Sequence, residues 1–191
     1  MSDIEKHYIT AEALLRDSFL LAAQIYESGF RPDFIIGVWR GGTPVGIAVQ
    51  EFLAYRGVET DHISIRTSSY IGIGQQSKTI RVHGLHYIIE NCNAEDSLLV
   101  VDDVFDSGRS IRALFDDLKA KTRRNLPGTV RVACPWYKPG NNKTDIVPDY
   151  FIHETDQWLV FPHEMVGLTL EEIRAGKSEL AGVWEQLHLG D

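Results

Sequence analysis

Eleven consecutive residues, Val100-Val101-Asp102-Asp103-Val104-Phe105-Asp106-Ser107-Gly108-Arg109-Ser110, concentrate the chemistry of this chain. An apolar run ends in two acids, then a third acid, and then a short glycine-bearing stretch with two hydroxyls. Where a strand hands over to a helix, free backbone N–H groups converge and the helix dipole favours an anion. Asp106-Ser107-Gly108-Arg109-Ser110 is therefore expected to cradle a phosphate, with Ser107 and Ser110 adding donors. Carboxylates beside such a cradle would repel its ligand unless they accept hydrogen bonds from sugar hydroxyls or hold Mg²⁺. Asp102 and Asp103 fit that role, so the expected ligand carries a phosphate at one end and vicinal hydroxyls beside it.

A second segment, Trp39-Arg40-Gly41-Gly42, follows the apolar run Phe34 to Val38. Gly41 and Gly42 allow close backbone approach, and Arg40 offers a charged fork for an anion. In an open α/β sheet the ligand sits beyond the carboxyl ends of the strands, where both segments would lie. A polar stretch from Thr67 to Arg81 opens with Ser68-Ser69-Tyr70 and lacks clear periodicity. A loop of about 15 residues inside a compact domain is usually functional.

The eleven-residue segment resembles the phosphoribosyl-pyrophosphate (PRPP) signature of type I phosphoribosyltransferases. That resemblance implies that Asp102 and Asp103 face the ribose hydroxyls and magnesium, while Ser107, Gly108, Arg109 and Ser110 bind the 5′-phosphate. It implies that Arg40, Gly41 and Gly42 meet the leaving diphosphate. Ser69 and Tyr70 resemble the start of a loop that closes over the reacting centre, and either Lys78 or Arg81 could reach the diphosphate from it. Tyr137-Lys138-Pro139-Gly140 and Asp156-Gln157-Trp158-Leu159-Val160-Phe161-Pro162-His163-Glu164 resemble the purine branch, the xanthine-guanine and hypoxanthine-guanine enzymes. The implied roles are Lys138 on the exocyclic oxygen of a 6-oxopurine, Trp158 stacked on the ring, Leu159 offering backbone groups, and Glu164 with Asp103 at magnesium. Lysine donates only, which suits a keto oxygen rather than an amino group. Asp106, at the edge between sugar and base, is the expected catalytic residue, taking or holding a purine proton.

These residues must be carried by suitable elements. Thr10 is expected to cap a helix running to Ser28, stopped by Gly29. Phe34 to Val38 and Leu98 to Val101 read as strands covered on both faces. Thr43 and Pro44 read as the N-cap and first residue of a helix ending at Gly57. His62 to Arg66, Val82 to Ile89 and Val130 to Cys134 are expected strands, and Ile111, Leu114 and Leu118 mark the buried stripe of a helix. Pro135 to Pro148 reads as a second long loop, followed by short strands at Tyr150–His153 and Trp158–Phe161. Thr169 and Glu172 match a capping box, and a last helix is expected from Ser178. Strands alternating with helices imply an α/β fold with a mainly parallel sheet flanked by helices. The expected organisation is one domain over 1–191, with a loop at about 67–81 and a base-binding hood, a small C-terminal flap, at about 135–167.

Composition bounds the alternatives. The 191 residues carry a net charge of -8, with 43% hydrophobic and 24% charged. That counts against a general nucleic-acid binder, which shows a basic face. Cys92 and Cys134 form no metal-ligand pattern and read as reduced thiols. No stretch approaches the roughly 20 apolar residues that span a bilayer. The expected protein is soluble and cytoplasmic. Resemblance adds PRPP and a purine base as partners, Mg²⁺ as cofactor, and a homodimer or higher homo-oligomer. Two rivals share the signature: a PRPP-binding regulator, and a phosphoribosyltransferase acting on a non-purine base.

Overall fold

The computed structural model describes residues 5–71 and 78–183. The chain divides into two compact units, residues 15–156 and residues 1–14 with 157–191.

The larger unit is built on a seven-stranded sheet. Its strands are β2 (Phe34–Trp39), β3 (Asp61–Ile71), β4 (Lys78–His83), β5 (Ser97–Val101), β6 (Val104–Phe105), β7 (Thr129–Tyr137) and β8 (Tyr150–Glu154). The spatial order is β4-β3-β2-β5-β7-β6, with β8 also on β7. Every pairing is parallel except β3 with β4. The mainly parallel sheet expected from alternating strands and helices is thus present.

The two central strands are apolar on both faces because both faces are covered. On one face, Ile36, Val38, Leu98, Val100, Val132 and Cys134 pack in one cluster with two helices. These are α3 (His86–Asn91) and α4 (Arg109–Thr122), which bring Ile88 and then Ile111, Leu114 and Leu118. On the other face α2 (Gly42–Tyr55) packs against β2 and β5. Gly37 permits that approach: a Cβ there would stand 3.4 Å from the carbonyl oxygen of Gly42 and the Cα of Thr43.

Helix α1 (Ala11–Glu27) starts as expected, with the Ala13 N–H donating to Thr10 Oγ1 at 3.1 Å, and it is followed by Gly29 at φ +80°. In the smaller unit β1 (Lys6–Tyr8) pairs in parallel with β9 (Trp158–Val160). Helix α5 (Leu170–Gly176) carries the expected capping box, Thr169 with Glu172. Glu172 also pairs with Lys6, whose hydrogen bond holds that carboxyl below its usual range. Lys177 is buried and donates to the carbonyls of Phe161 and Pro162 at 2.7 and 3.2 Å. Burial lowers its pKa.

Five expectations need correction. The stretch 67–81 is not a loop throughout: β3 continues to Ile71, and Lys78 to His83 returns antiparallel to it, while 72–77 lie outside the described residues. Exposed edge strands tolerate polar residues, so the polarity there does not signal a loop. Val82 to Ile89 is not one strand, because Leu85, Ile88 and Cys92 are buried at helical spacing around α3. Helix α2 begins two residues earlier than expected, with Gly41 rather than Thr43 as its N-cap. Pro135 does not open a loop, since β7 runs on to Tyr137 and the chain then makes a short 3₁₀ turn at Pro139–Asn141. The last helix is a 3₁₀ turn at Ser178–Leu180 followed by helical residues to 183, and its remainder lies outside the described residues. Among the described residues no helix is long and apolar enough to cross a membrane.

Candidate active site

Because β2 and β5 are neighbours, with Gly37 opposite Val101, their carboxyl ends deliver Arg40-Gly41-Gly42 and Asp102-Asp103 to one place. The contact is tight. A Cβ on Gly41 would overlap the Asp103 carboxylate, and one on Gly42 would overlap the Val101 carbonyl and stand 2.7 Å from the Cα of Asp102. Glycine at both positions is thus a packing requirement, since Gly41 itself has ordinary helical angles (φ -68°, ψ -30°). The Trp39–Arg40 peptide is cis, and Arg40 is exposed.

The two acids are held by their own backbone. The Asp103 N–H donates to Asp102 Oδ1 at 3.0 Å, and the Val104 N–H to Asp103 Oδ1 at 2.9 Å. The Asp102 N–H donates to the Ala133 carbonyl at 3.1 Å, tying the turn to β7. Asp103 is only 9% exposed. Burial first, and then the charge of Asp103, push the Asp102 carboxyl well above the ordinary carboxylate range. Two carboxylates held together in this way favour a hydroxyl donor or a cation.

Below the unfolded-state pKa of about 3.9, both states keep Asp102 protonated and the burial costs nothing. As pH rises through that value towards the higher folded pKa, the unfolded state ionises first and native stability falls. Asp102→Asn is therefore expected to raise the melting temperature at neutral pH, without added ligand or divalent cation. It should also flatten the decline between acid and neutral pH, read by thermal denaturation at several pH values.

Strand β6 exists because Val104 and Phe105 pair with Trp136 and Tyr137 of β7. That pairing, with the Lys138 N–H on the Phe105 carbonyl at 2.9 Å, brings Lys138 beside Asp106. Lys138 is 7% exposed and its Nζ lies 3.3 Å from Asp106 Oδ2. A buried ammonium needs such a partner. Next, Gly108 adopts φ +71°, the left-handed conformation that favours glycine, and N-caps α4. A Cβ there would stand 2.6 Å from Thr144 Oγ1 and 2.8 Å from the Phe105 ring. A cleft opens here, lined by Asp102, Phe105, Asp106, Ser107, Gly108 and Ser110. Ser110 Oγ also accepts a hydrogen bond from Thr67 Oγ1 at 3.4 Å.

The structure thus brings together Gly41, Gly42, Asp102 and Asp103, and alongside them Asp106 to Ser110 and Lys138. Arg109 is exposed at the first position of α4. Ser69, Tyr70 and Lys78 lie in the β3–β4 hairpin, with Ser69 opposite Ile80 and Ile71 opposite Lys78. Their side chains lie outside the described part, and Arg81 is exposed on β4. Trp158, Leu159 and Glu164 belong to the smaller unit. Trp158 is exposed, Leu159 is buried, and Glu164 Oε2 accepts the Phe161 N–H at 3.1 Å. Sequence reasoning missed the segment 142–145, which reaches the turn before α4 through the Lys143 N–H on the Ser107 carbonyl at 3.0 Å. Nothing in its composition signals that contact.

Among the described residues no group of three or more His, Cys, Asp or Glu side chains could hold a metal by itself. Magnesium is commonly held by one or two carboxylates together with substrate oxygens. The Asp102–Asp103 pair fits that donor set. Cys92 and Cys134 are free and buried, and burial pushes both thiols up.

An α/β sheet with a glycine loop, an acidic pair and a left-handed glycine at a helix start along its carboxyl edge is the layout of a phosphoribosyl transferase. The chain matches the phosphoribosyl transferase domain over residues 7–168 and belongs to that family. Among solved structures, a purine phosphoribosyltransferase from Pyrococcus horikoshii Ot3 is 25% identical, with TM-score 0.67, covering 87% of this chain and 98% of that one. A xanthine-guanine-hypoxanthine phosphoribosyltransferase from Helicobacter pylori is 22% identical, with TM-score 0.63, covering 90% and 99%. A hypothetical protein from Neisseria gonorrhoeae, solved with bound ppGpp, is 20% identical, with TM-score 0.73, covering 94% and 99%. No curated protein matches the chain.

Proposed function

We propose that this protein transfers the 5-phosphoribosyl group from PRPP to a 6-oxopurine, whether hypoxanthine, guanine or xanthine. The transfer releases diphosphate and forms the nucleoside monophosphate, a purine-salvage reaction. The observation that carries the reading is the buried Lys138 Nζ held 3.3 Å from Asp106 Oδ2 at the mouth of the phosphate loop. It supports the reading because a group able to donate to an oxo oxygen stands next to one able to accept a ring proton.

In this mechanism a base nitrogen forms a bond to C1′ of the ribose as the C1′–O bond to diphosphate breaks. The proton lost from the purine imidazole passes to Asp106, which raises the nucleophilicity of the ring. Positive charge builds on the ribose ring, as in glycoside cleavage. Arg40 and the backbone of Gly41 and Gly42 stabilise the charge gained by the leaving diphosphate. Asp102 and Asp103 accept from the ribose hydroxyls, and the N–H groups of Ser107 to Ser110 hold the 5′-phosphate. Mg²⁺, held by Asp103 with substrate oxygens and with Glu164 as a further proposed ligand, would neutralise diphosphate charge. Trp158 is assigned to stack on the purine and Leu159 to offer it backbone groups, by resemblance of their segment. The pair Ser69 and Tyr70, with Lys78 or Arg81, is assigned to cover the diphosphate, excluding the water that would hydrolyse an activated sugar.

Incubation with PRPP, Mg²⁺ and single bases tests the reading, with nucleotide formation followed by chromatography. Hypoxanthine, guanine or xanthine is expected to yield its monophosphate, and adenine and orotate are not. Turnover of adenine or orotate in preference to all three 6-oxopurines would refute it.

A further inference from the structure

The phosphate loop is held by a segment that no motif marks. After Lys138 the chain forms a strap in which Asn142 is the organiser. Its Oδ1 accepts from the Thr144 N–H and from Thr144 Oγ1, both at 2.9 Å, and its Nδ2 donates to the Ile146 carbonyl at 2.8 Å. Asp145 pairs with Arg112 of α4. Pinned in this way, the strap sets the Lys143 N–H on the Ser107 carbonyl at 3.0 Å and Thr144 Oγ1 against Gly108.

Acids and cations both surround the loop. Asp102 and Asp106 both line its cleft. Of the cations nearby, Lys138 is engaged by Asp106 and Arg112 by Asp145, which leaves Arg109, exposed at the first position of α4, and Lys143. Lys143 is exposed, and among the described residues no hydrogen bond or ion pair engages its ammonium. Backbone N–H groups favour an anion, but adjacent carboxylates oppose it, and an ammonium on a flexible four-carbon stem is suited to restore the balance.

We propose that Lys143 is a further 5′-phosphate-binding residue, whose backbone steadies Ser107 and whose ammonium meets the phosphate. This rests on the reading of Asp106 to Ser110 as the 5′-phosphate loop. The strap's backbone bond to Ser107 puts the stem of Lys143 next to the loop. It also links the two ends of the substrate, since one segment carries Lys138 at the base end and Lys143 at the phosphate end.

Ribose 5-phosphate is the probe, titrated by calorimetry into the full chain, because its binding needs neither a base nor turnover. Lys143→Met is expected to weaken it about tenfold, as for loss of one charge-assisted hydrogen bond. Lys143→Arg should stay close to wild type, and Lys119→Met on the exposed side of α4 should change nothing. In the transfer assay Lys143→Met should raise KM for PRPP and leave KM for the base unaltered. If Lys143→Met binds ribose 5-phosphate as tightly as wild type, or Lys143→Arg loses as much as Lys143→Met, Lys143 has no such role and the phosphate loop stands without it. If wild type itself does not bind ribose 5-phosphate, the phosphate-loop reading fails and this proposal with it.

Discussion

Asp106→Asn is expected to lower kcat by about 10²- to 10³-fold, within the range for losing a general base, while PRPP affinity stays within a few-fold of wild type. Asparagine keeps the shape of the side chain and its oxygen can still accept from Lys138 Nζ, which lies 3.3 Å from the carboxylate. What is lost is the negative charge that takes the purine proton. The phosphate loop is set elsewhere, by Gly108 at φ +71° and by the Arg112 N–H on the Gly108 carbonyl at 2.9 Å, so it should survive. Steady-state kinetics at saturating PRPP, alongside direct PRPP titration, separate the two quantities. Weakened PRPP binding with normal saturated turnover would assign Asp106 to the sugar phosphate instead.

Gly41→Ala is expected to be a strongly damaging single-methyl change in the site. The backbone at Gly41 lies in the helical region, so alanine meets no conformational penalty there. The damage is steric, because the new Cβ would overlap the Asp103 carboxylate. That carboxylate cannot simply swing away, since its Oδ1 accepts the Val104 N–H at 2.9 Å. Overpacking of this kind costs about 1–3 kcal/mol of stability. Displacing Asp103 and the diphosphate loop together should lower kcat/KM for PRPP by about 10²-fold or more, the scale of losing one preorganised electrostatic group. Gly46→Ala is the control on the same helix. Its Cβ would stand 3.6 Å from the Cα of Gly37, an ordinary contact, so activity and melting temperature should be close to wild type.

The elements most legible in the sequence were those whose local signals agree with their burial. The runs Phe34 to Val38 and Leu98 to Val101 are apolar because helices cover both faces, and Thr10 and Thr169 each accept the backbone bond that their positions imply. The turn from Asp106 to Ser110 into α4 was legible because its signals are local: small residues, hydroxyls and one left-handed glycine at a helix start. Elements set by neighbours were harder. The helix His86–Asn91 is short, and a short apolar run does not by itself distinguish a helix turn from a strand. The β3–β4 hairpin carries polar residues through the edge of the sheet, where packing does not demand alternation. Strand β1 is three residues long and exists only through its pairing with Trp158 to Val160. Within the site, residue types were readable but distances were not. That Gly41 rests on Asp103, and that Lys138 meets Asp106, depends on the order of β2, β5, β7 and β6 across the sheet.

Base-dependent release of diphosphate from PRPP tests the central claim most directly. With Mg²⁺ and PRPP alone the protein is expected to release diphosphate at no more than a background rate. Addition of guanine, hypoxanthine or xanthine should raise that rate with one nucleotide formed per diphosphate released, and Asp106→Asn should return it towards background. Tight binding of PRPP with no base-dependent diphosphate release, across the full range of purines and pyrimidines, would contradict phosphoribosyl transfer and mark the protein as a PRPP-binding regulator.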